Sequence, residues 1–302
     1  MITRLSDKEK YVFRALLGIL FLLSAAAKLV SIDQFEIYIF SFGWLRLGLA
    51  YMFARLLIAA EFFLGLSLVI NIYPRITWKL TGLMLLGFTG FLAWLAISGN
   101  TDNCHCFGEF VDLDPTQSLI KNIVFLVIWL FGAEIDGFAQ AAPRWLKPVL
   151  GGSLAAVCLA TVLIVSPPDN WNYKAYSRGA SYVDDALHDY LEDGVLPESV
   201  GQGDKVVCFI SLSCEYCHLA SQKIATLRKQ GQFSDAPIIA LISRGETEVD
   251  PTYYFEETGL DVSEYKYIPA SSFLQITSGA LPLILVLHNG VVQEKYGYRD
   301  LH

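Results

Sequence analysis

The sequence predicts a multi-pass α-helical membrane bundle, with a four-helix core and a fifth linking helix, followed by an α/β domain in water. Hydrophobic residues make up 54% of the 302 residues and only 17% are charged, whereas a soluble domain usually has about 25% charged residues. Residues 1–167 contain 12 Lys and Arg against 11 Asp and Glu, while residues 168–302 contain 10 against 19. This division indicates lipid around the first part and water around the second. The net charge of −8 argues against nucleic acid as a partner.

Five apolar stretches are predicted to form the membrane helices. A helix needs about 20 mostly apolar residues to cross the hydrocarbon core of a bilayer. The fourth stretch has Lys121 and Asn122 in its first turn, where the long lysine side chain is able to reach the lipid head groups. The five stretches are Tyr11–Val30, Leu49–Ile70, Ile76–Ile97, Ser118–Glu134 and Val149–Val165.

The Lys and Arg residues that flank these stretches predict the orientation, because cytoplasmic loops contain an excess of both. Most of them fall on the side of the N-terminus. That side has Arg4, Lys8, Lys10, Arg14, Arg75, Lys79, Arg144 and Lys147, and the other side has Lys28, Arg46 and Lys121. We therefore expect a protein of the bacterial inner (cytoplasmic) membrane, with its N-terminus in the cytoplasm and its C-terminal domain in the periplasm. Residues 1–27 also resemble a signal peptide, but the long apolar run and the later spans favour a retained helix.

The predicted organisation has three parts. Residues 1–137 form a four-helix membrane domain, residues 138–183 a fifth transmembrane helix and linker, and residues 184–302 an extracytoplasmic α/β domain. A short helix-like stretch, Ser181–Leu191, belongs either to the linker or to the α/β domain.

Two charged residues inside the second apolar stretch indicate a polar site in the membrane. Arg55 and Glu61 are six positions apart, so they point in different directions rather than pairing. We expect Glu61 to face the interior of the bundle. Its carboxyl group either hydrogen-bonds a neighbouring helix for packing or takes part in a proton relay or a substrate site.

Four of the six cysteines form two close pairs on the predicted outer face, Cys104 with Cys106 and Cys214 with Cys217. Disulfides persist in oxidising extracytoplasmic compartments, but such short loops constrain little of the unfolded chain. Redox chemistry or metal binding is the more typical role of such pairs. The remaining two, Cys158 and Cys208, lie in apolar segments and are expected to pack as small hydrophobic side chains.

The pair Cys214-Glu215-Tyr216-Cys217 lies between a strand-like run, Val206–Ser211, and a stretch with helical spacing, Leu219–Arg228. A helix N-terminus stabilises a thiolate on the first sulfur, and the second sulfur is then placed to resolve a mixed disulfide. A structural zinc site would need two further ligands, and only His218 is near. The negative charge of Glu215 disfavours the thiolate and therefore makes the pair more reducing.

The second pair lies in the loop Cys104-His105-Cys106. A disulfide between positions i and i+2 closes a small, strained ring, and strain makes such a bond easier to reduce. The same three residues also provide ligands for copper or zinc. Redox chemistry is the preferred interpretation, with no metal expected, and the metal interpretation stays open.

Later segments complete the expected α/β domain. Pro237–Ser243 is a second strand, and Leu283–Leu287 and Val291–Tyr296 flank Asn289–Gly290, a strong hairpin signal. Pro282 precedes the hairpin and is a candidate for a cis peptide bond.

Residues 184–302 resemble a thioredoxin-like domain on these motifs. The resemblance implies that Cys214 is the nucleophile, that Cys217 is the resolving cysteine, and that a cis-proline, Pro282, packs beside them. The sequence departs from that family in the Glu-Tyr dipeptide and in Ser213, which stands where thioredoxins have Trp.

Residues 10–137 resemble the MauE/DoxX-like family of redox-associated membrane proteins, which are four-helix bundles. Cys-x-Cys-Phe-Gly is the most specific of the shared segments. These segments are Ser24–Leu29, Phe35, Phe42–Gly43, Glu61–Leu66, Cys104–Gly108 and Lys121–Asn122. The MauE type is linked to methylamine utilisation, where it is associated with disulfide formation in the cysteine-rich subunit of the dehydrogenase.

The layout is also similar to bacterial vitamin K epoxide reductase homologues, which pass electrons from a thioredoxin-like partner to a quinone. Those oxidases have two cysteine pairs in the membrane part, and this chain has one there unless Cys158 takes part.

The resemblances imply a membrane thiol–disulfide oxidoreductase that acts on extracytoplasmic protein thiols. Electrons would pass from substrate thiols to Cys214–Cys217, then to Cys104–Cys106, and then to a membrane quinone, an acceptor given by analogy alone. One alternative is a thiol reductase of the CcdA type, which exports reducing equivalents. Another is a copper-handling or assembly factor that uses the same cysteines as soft ligands.

Overall fold

The computed structural model describes residues 6–98, 114–131, 146–172, 176–177, 181–246 and 250–301. The chain divides into two compact units. The first, here the membrane unit, comprises Met1–Tyr38 and Leu49–Pro167, and the second, here the C-terminal unit, comprises Ile39–Gly48 and Pro168–His302.

All five predicted membrane stretches are helical where the structure describes them. The helices of this part of the chain are α1 (Asp7–Val30), α2 (Ile32–Ser41), α3 (Leu47–Ile70), α4 (Pro74–Ile97), α5 (Pro115–Phe131) and α6 (Leu146–Val165). Four helical segments of the described chain are long and apolar enough to cross a membrane: Lys8–Val30, Leu47–Ile70, Pro74–Ile97 and Pro148–Val165. Helix α5 is apolar but shorter, with 17 residues, and the last three residues of its predicted stretch lie outside the described residues.

Helix α2 is an addition to the predicted helices, since it lies between the first two apolar stretches. Its side chains explain the helix, because Ile32, Phe35 and Phe40 lie on one face at helical spacing and are all buried. An apolar face of this kind favours a helix over a loop. Glu36 lies beside these residues and is also buried, with 1% of its surface exposed.

Helices α1 and α3 approach each other closely at two glycines. A Cβ atom built on Gly18 would lie 2.8 Å from the carbonyl oxygen of Gly65, and one built on Gly65 would lie 2.9 Å from that of Gly18. Only glycine leaves room for two backbones at this distance. The contact sets the spacing of the two helices.

Polar contacts join α4 to α5 within the apolar surroundings. The indole N–H of Trp129 donates to the Trp78 carbonyl at 2.9 Å, and the two rings stack at a centroid distance of 5.7 Å. The side-chain amide of Asn122 donates to the Leu85 carbonyl at 3.0 Å and to the hydroxyl of Thr89 at 2.8 Å. Asn122, in the first turn of the fourth predicted stretch, therefore points inward, and its side-chain amide is hydrogen-bonded.

The C-terminal unit is built on a six-stranded sheet. Its strands are β1 (Tyr176–Ser177), β2 (Asp204–Ile210), β3 (Ile238–Ser243), β4 (Glu264–Ile268), β5 (Leu283–His288) and β6 (Val291–Tyr296). The order across the sheet is β1-β6-β5-β2-β3-β4. Strands β2, β3 and β4 are parallel, and β5 runs antiparallel to both β2 and β6.

In the described part of this unit, five α-helices accompany the sheet: α7 (Asp169–Asn172), α8 (Ser181–Glu192), α9 (Glu215–Lys229), α10 (Pro251–Thr258) and α11 (Ala270–Thr277). The β2-α9-β3 unit followed by the β5–β6 hairpin is the arrangement of a thioredoxin-like domain, as predicted. The hairpin turns at Asn289 and Gly290, whose φ angles of 50° and 79° match the turn that Asn-Gly favours.

Helix α8 belongs to the C-terminal unit rather than to a separate linker, which decides between the two alternatives for Ser181–Leu191. Its Leu187 is fully buried and joins the same hydrophobic core as Phe209 of β2 and Phe273 of α11. Burial of such side chains against the sheet is the main force that holds a helix of this length in place.

Candidate functional site

Cys214 and Cys217 lie at the carboxyl end of β2, where the chain turns into α9. Cys214 is the N-cap residue of α9, in extended conformation with φ −87° and ψ 116°. The cap position places its side chain at the positive end of the helix dipole, where negative charge is stabilised. The amide groups of Cys217 and His218 donate to the Cys214 carbonyl at 3.0 and 3.1 Å and close the first turn around the pair.

The two sulfurs differ in access. Cys214 is half-buried whereas Cys217 is fully buried, and both are thiols in the structure. The amide of Ser211 donates to the Cys217 sulfur at 3.5 Å. A nucleophilic cysteine needs an accessible sulfur, and a resolving cysteine can be enclosed, as half-buried Cys214 and buried Cys217 are.

Pro282 lies at the same end of the sheet. The Leu281–Pro282 peptide bond is cis, as predicted, and Pro282 is buried. Leu283 pairs with Phe209 in the antiparallel register of β5 and β2, so Pro282 stands opposite the last residue of the strand that leads into the cysteine pair.

The side of the pair that faces water is formed by Ser213, Glu215 and Tyr216, all exposed. The Tyr216 ring contacts the Tyr298 ring at a centroid distance of 5.2 Å. The guanidinium group of Arg299 lies 5.9 Å from both ring centroids. The segment after β6 therefore packs against the dipeptide between the cysteines.

Two polar contacts hold that segment. Arg299 donates to the buried carboxylate of Asp169 at 2.8 Å, and Lys223 of α9 donates to the Tyr298 carbonyl at 3.1 Å. The Lys223 ammonium group also lies 4.3 Å from the Tyr298 ring centroid, within the range of a cation–π contact.

A buried phenol lies on the inner side of the pair. Tyr254 of α10 is 1% exposed, and its hydroxyl is 2.9 Å from the Ser221 hydroxyl of α9. Burial raises the pKa of Tyr254 above its usual value, and negative charge on Cys217, Cys208 or Cys214 raises it further. The phenol therefore stays protonated at neutral pH and is available as a donor.

His218 connects the turn before α9 to the same helix, α10. Its Nε2 lies 3.1 Å from the Leu212 carbonyl and donates to it, which leaves Nδ1 4.0 Å from a carboxylate oxygen of Glu257. Its ring meets the Tyr254 ring edge to face at 4.3 Å. The sequence offers His218 only as a zinc ligand, whereas the structure places it between the turn before α9 and helix α10.

Cys208 confirms its predicted role as a packing residue. It lies in β2 with 1% exposure, and burial raises the pKa of its thiol to about 12. Cys158 in α6 is likewise buried, at 4%.

The second candidate site is in the membrane unit, where Glu61 faces the interior as expected. Its two carboxylate oxygens accept from the Lys28 ammonium group at 2.7 and 2.9 Å. The ammonium group also donates to the Ser24 hydroxyl at 2.7 Å and lies 5.7 Å from the Phe88 ring centroid. Lys28 is 3% exposed and Glu61 2%.

Arg55 does not pair with Glu61, in agreement with their spacing. It pairs instead with the buried Glu36 of α2 and donates to the carbonyls of Ser166 and Pro167 at 2.7 and 2.9 Å. Lys28 and Glu36 were not recognised from the sequence as partners, since each lies on a different helix from the charge that it neutralises.

Cys104, His105 and Cys106 lie outside the described residues. Within the described part of the chain, no group of three or more His, Cys, Asp or Glu side chains is placed to hold a metal ion.

Taken together, these features define a class: a membrane protein with several apolar helices and a C-terminal thioredoxin-like domain that presents a Cys-x-x-Cys pair at a helix N-terminus. Comparison with known proteins agrees. Residues 8–134 match the model of the family described as methylamine utilisation protein MauE. This part of the chain is therefore MauE-like, and the thioredoxin-like domain follows it. Protein TlpB of Flavobacterium psychrophilum is 26% identical over 308 aligned positions, which cover 85% of this chain and 81% of that protein. No solved structure matches the chain.

Proposed function

We propose that the protein is a membrane thiol–disulfide oxidoreductase, in which Cys214 and Cys217 exchange electrons with extracytoplasmic protein thiols. The observation that supports this most directly is the pair itself, with a half-exposed sulfur at the N-cap of α9 and a buried partner one turn later. A helix N-terminus favours the thiolate, which is the reactive form of cysteine.

Thiol–disulfide exchange at this pair accounts for all electrons and protons without a metal ion. In the oxidising direction a substrate thiolate attacks Cys214 in the Cys214–Cys217 disulfide, and the pair of electrons leaves on Cys217. A second substrate thiol then attacks the mixed disulfide and releases Cys214. The substrate has gained a disulfide and lost two electrons and two protons, and the pair has become a dithiol.

The proposal continues into the membrane unit. Cys104–Cys106 would accept the two electrons and two protons from the Cys214–Cys217 dithiol, and a membrane quinone would take them in turn and become a quinol. The match to the MauE family over residues 8–134 includes this cysteine pair. The similarity to Protein TlpB extends over 85% of the chain, which supports joint action of its two halves.

Glu61 and His105 are proposed as polar residues of the membrane site. The supporting observation is the full burial of the Lys28–Glu61 pair, because ionisable groups at membrane depth are expensive and are usually retained for function.

The reverse flow, in which the protein supplies electrons to outer substrates, has one observation in its favour. Glu215 lies next to Cys214 in the first turn of α9 and is exposed. A neighbouring negative charge disfavours the thiolate and makes the pair more reducing.

The test is an acid-quenched thiol trap on membranes that scores both pairs with and without a functioning quinone pool. We expect Cys214–Cys217 to be oxidised at rest and to become reduced when quinone is depleted or in Cys106→Ser, with Cys158→Ala as the control. A pair that is reduced at rest and becomes oxidised in Cys106→Ser would establish the reductase. If neither pair responds to quinone or to Cys106→Ser, the relay is wrong.

A further inference from the structure

Tyr254 and Ser221 form a hydroxyl pair beside the resolving cysteine. Ser221 lies four residues after Cys217 on α9, a spacing that places both on one face of the helix. Tyr254 reaches this face from α10, with 2.9 Å between the two hydroxyl oxygens. Each of the three residues is at most 1% exposed, so water does not reach them.

The position of the phenol is fixed by its neighbours. The His218 ring contacts Tyr254 at 4.3 Å and the Phe255 ring contacts it at 5.5 Å. His218 is itself held by the Leu212 carbonyl in the turn before α9. The hydroxyl is therefore directed at the α9 face rather than left to rotate.

We propose that Tyr254, acting through Ser221, is the positioning residue that stabilises the Cys217 sulfur while this sulfur is negatively charged. This inference rests on the proposed function, because that function makes Cys217 the leaving group. When a substrate thiolate attacks Cys214, a sulfur–sulfur bond forms between them, the Cys214–Cys217 bond breaks, and the electron pair leaves on Cys217.

A charge on Cys217 arises in a place that solvent does not reach. The Ser211 amide donates to this sulfur at 3.5 Å, and further donors lower the cost of a buried charge. A phenol that remains protonated supplies a donor without introducing a charge. By microscopic reversibility the same donors favour the Cys217 thiolate when it attacks a mixed disulfide on Cys214.

Other titratable groups face this site. These groups are the Cys208 thiol on β2, the Cys214 thiol and the His218 ring at the start of α9, and the Glu257 carboxyl group on α10, which lies next to His218. Arg228 acts on Cys208 from the far end of α9. Since the pH dependence of exchange contains all of these groups, the test compares variants rather than interpreting a single titration curve.

The experiment uses the full chain with Cys104→Ser and Cys106→Ser, so that the redox state of the Cys214–Cys217 pair is measured by itself. Reduced and oxidised dithiothreitol are the probes. Reduction of the Cys214–Cys217 disulfide and its re-formation, in which Cys217 is the attacking thiol, are followed by acid quench and thiol alkylation between pH 6 and 9. Tyr254→Phe removes the hydroxyl and keeps the ring. Tyr253→Phe is the matched control, since Tyr253 is its neighbour in the chain and is 65% exposed.

We expect Tyr254→Phe to slow the reduction and to raise the pH at which Cys217 becomes reactive, because Ser221 loses the phenol that positions it. Tyr253→Phe should leave both unchanged. The double variant Tyr254→Phe/Ser221→Ala removes both hydroxyl groups and leaves neither without its partner, so it should fold well. It should be slower than Tyr254→Phe, about tenfold below the wild type, which is the effect of one hydrogen bond to a charged group.

Wild-type rates in Tyr254→Phe and in the double variant would overturn the inference. So would a loss that comes with unfolding and no change in the pH profile. The assay does not depend on the natural substrate or on quinone, so its result and that of the membrane thiol trap stand separately.

Discussion

Cys208 lies in the interior strand β2, where its sulfur is enclosed by the core. Its backbone neighbours are Ala240 of β3 and Ile284 of β5. The enclosure disfavours the thiolate, and the pKa of the thiol rises to about 12. The same burial that makes Cys208 inert distinguishes it from Cys214, which lies six residues later in the chain and is half-exposed.

This residue has a consequence for stability at high pH. Above about pH 9 an unfolded chain releases the Cys208 proton while the folded chain retains it, so unfolding releases a proton and is favoured as the pH rises. The free energy of unfolding should fall by about 1.4 kcal/mol per pH unit from this group alone. The fall should begin near pH 9 and end near pH 12.

Thermal or denaturant unfolding of the detergent-solubilised chain at pH 8, 9 and 10 measures the slope. Cys208→Ala should be less stable at pH 8, because it leaves a small cavity, but its stability should fall less steeply with pH. Cys158→Ala, a buried cysteine on α6, is the control. Parallel curves for wild type and Cys208→Ala would contradict the expectation.

Two buried ion pairs among the described residues of the membrane unit have different roles. Arg55 joins three helices, because it pairs with Glu36 on α2, lies on α3, and donates to the carbonyls of Ser166 and Pro167 at the end of α6. A cation is favourable at a helix C-terminus, so this pair has a structural explanation. Lys28 and Glu61 satisfy mainly each other.

We expect Glu61→Gln to destabilise the chain by about 3–5 kcal/mol, because it leaves the Lys28 ammonium group buried without a countercharge. The double variant Lys28→Met/Glu61→Leu should recover most of that stability, since apolar residues replace a buried pair at little cost. The measurement is thermal unfolding in detergent, together with the redox state of the cysteine pairs in membranes.

The two readouts separate packing from function in the Lys28–Glu61 pair. A double variant that folds like wild type and fails to oxidise Cys214–Cys217 assigns the pair to the reaction. A double variant with normal stability and normal redox state shows that the pair serves packing alone. A Glu61→Gln variant as stable as the wild type would contradict the expected dependence of the Lys28 ammonium group on this countercharge.

The elements differ in how far the sequence predicts them. Strands β2, β3, β5 and β6 and helix α9 follow directly from local signals: continuous apolar runs, Asn289–Gly290, and Leu219, Ile224 and Leu227 at helical spacing. Helix α2 does not, because its ten residues mix Asp33, Gln34 and Glu36 with apolar side chains. Its buried face becomes visible only when neighbouring helices cover it.

The candidate site shows the same limit. Cys214, Cys217 and Pro282 are recognisable because their roles depend on local spacing and on a short motif. The pairing of Lys28 with Glu61 joins positions 33 residues apart, and the contact of Ser221 with Tyr254 also joins positions 33 residues apart. Nothing in the local sequence specifies such partners, because they are set by the packing of whole helices.

For the whole molecule, the structure changes the charge count that predicts orientation. Arg14 and Lys28 are buried, at 0% and 3% exposure, so neither is a flanking charge that the positive-inside rule counts. Among the described exposed residues, Lys8, Arg75 and Lys79 remain on the side of the N-terminus. On the opposite side Arg46 is exposed and Lys121 half-buried. The excess of Lys and Arg on the side of the N-terminus remains, so the expected orientation still has the N-terminus in the cytoplasm.

Thiol labelling tests this orientation, because the described cysteines differ so strongly in burial. In a chain with Cys217→Ala, Cys104→Ser and Cys106→Ser, Cys214 is half-buried whereas Cys158 and Cys208 are enclosed. A membrane-impermeant maleimide should therefore label Cys214 in right-side-out vesicles and not in sealed inverted vesicles. Lys79→Cys, added to the same chain with Cys214→Ala, should give the opposite result, since Lys79 is exposed on α4 at the predicted cytoplasmic side.

Labelling of Cys214 from the inverted side alone would place the thioredoxin-like domain in the reducing cytoplasm. Disulfide formation would then lose its oxidising compartment, and an outward supply of electrons through the membrane unit would become the better explanation of the two cysteine pairs.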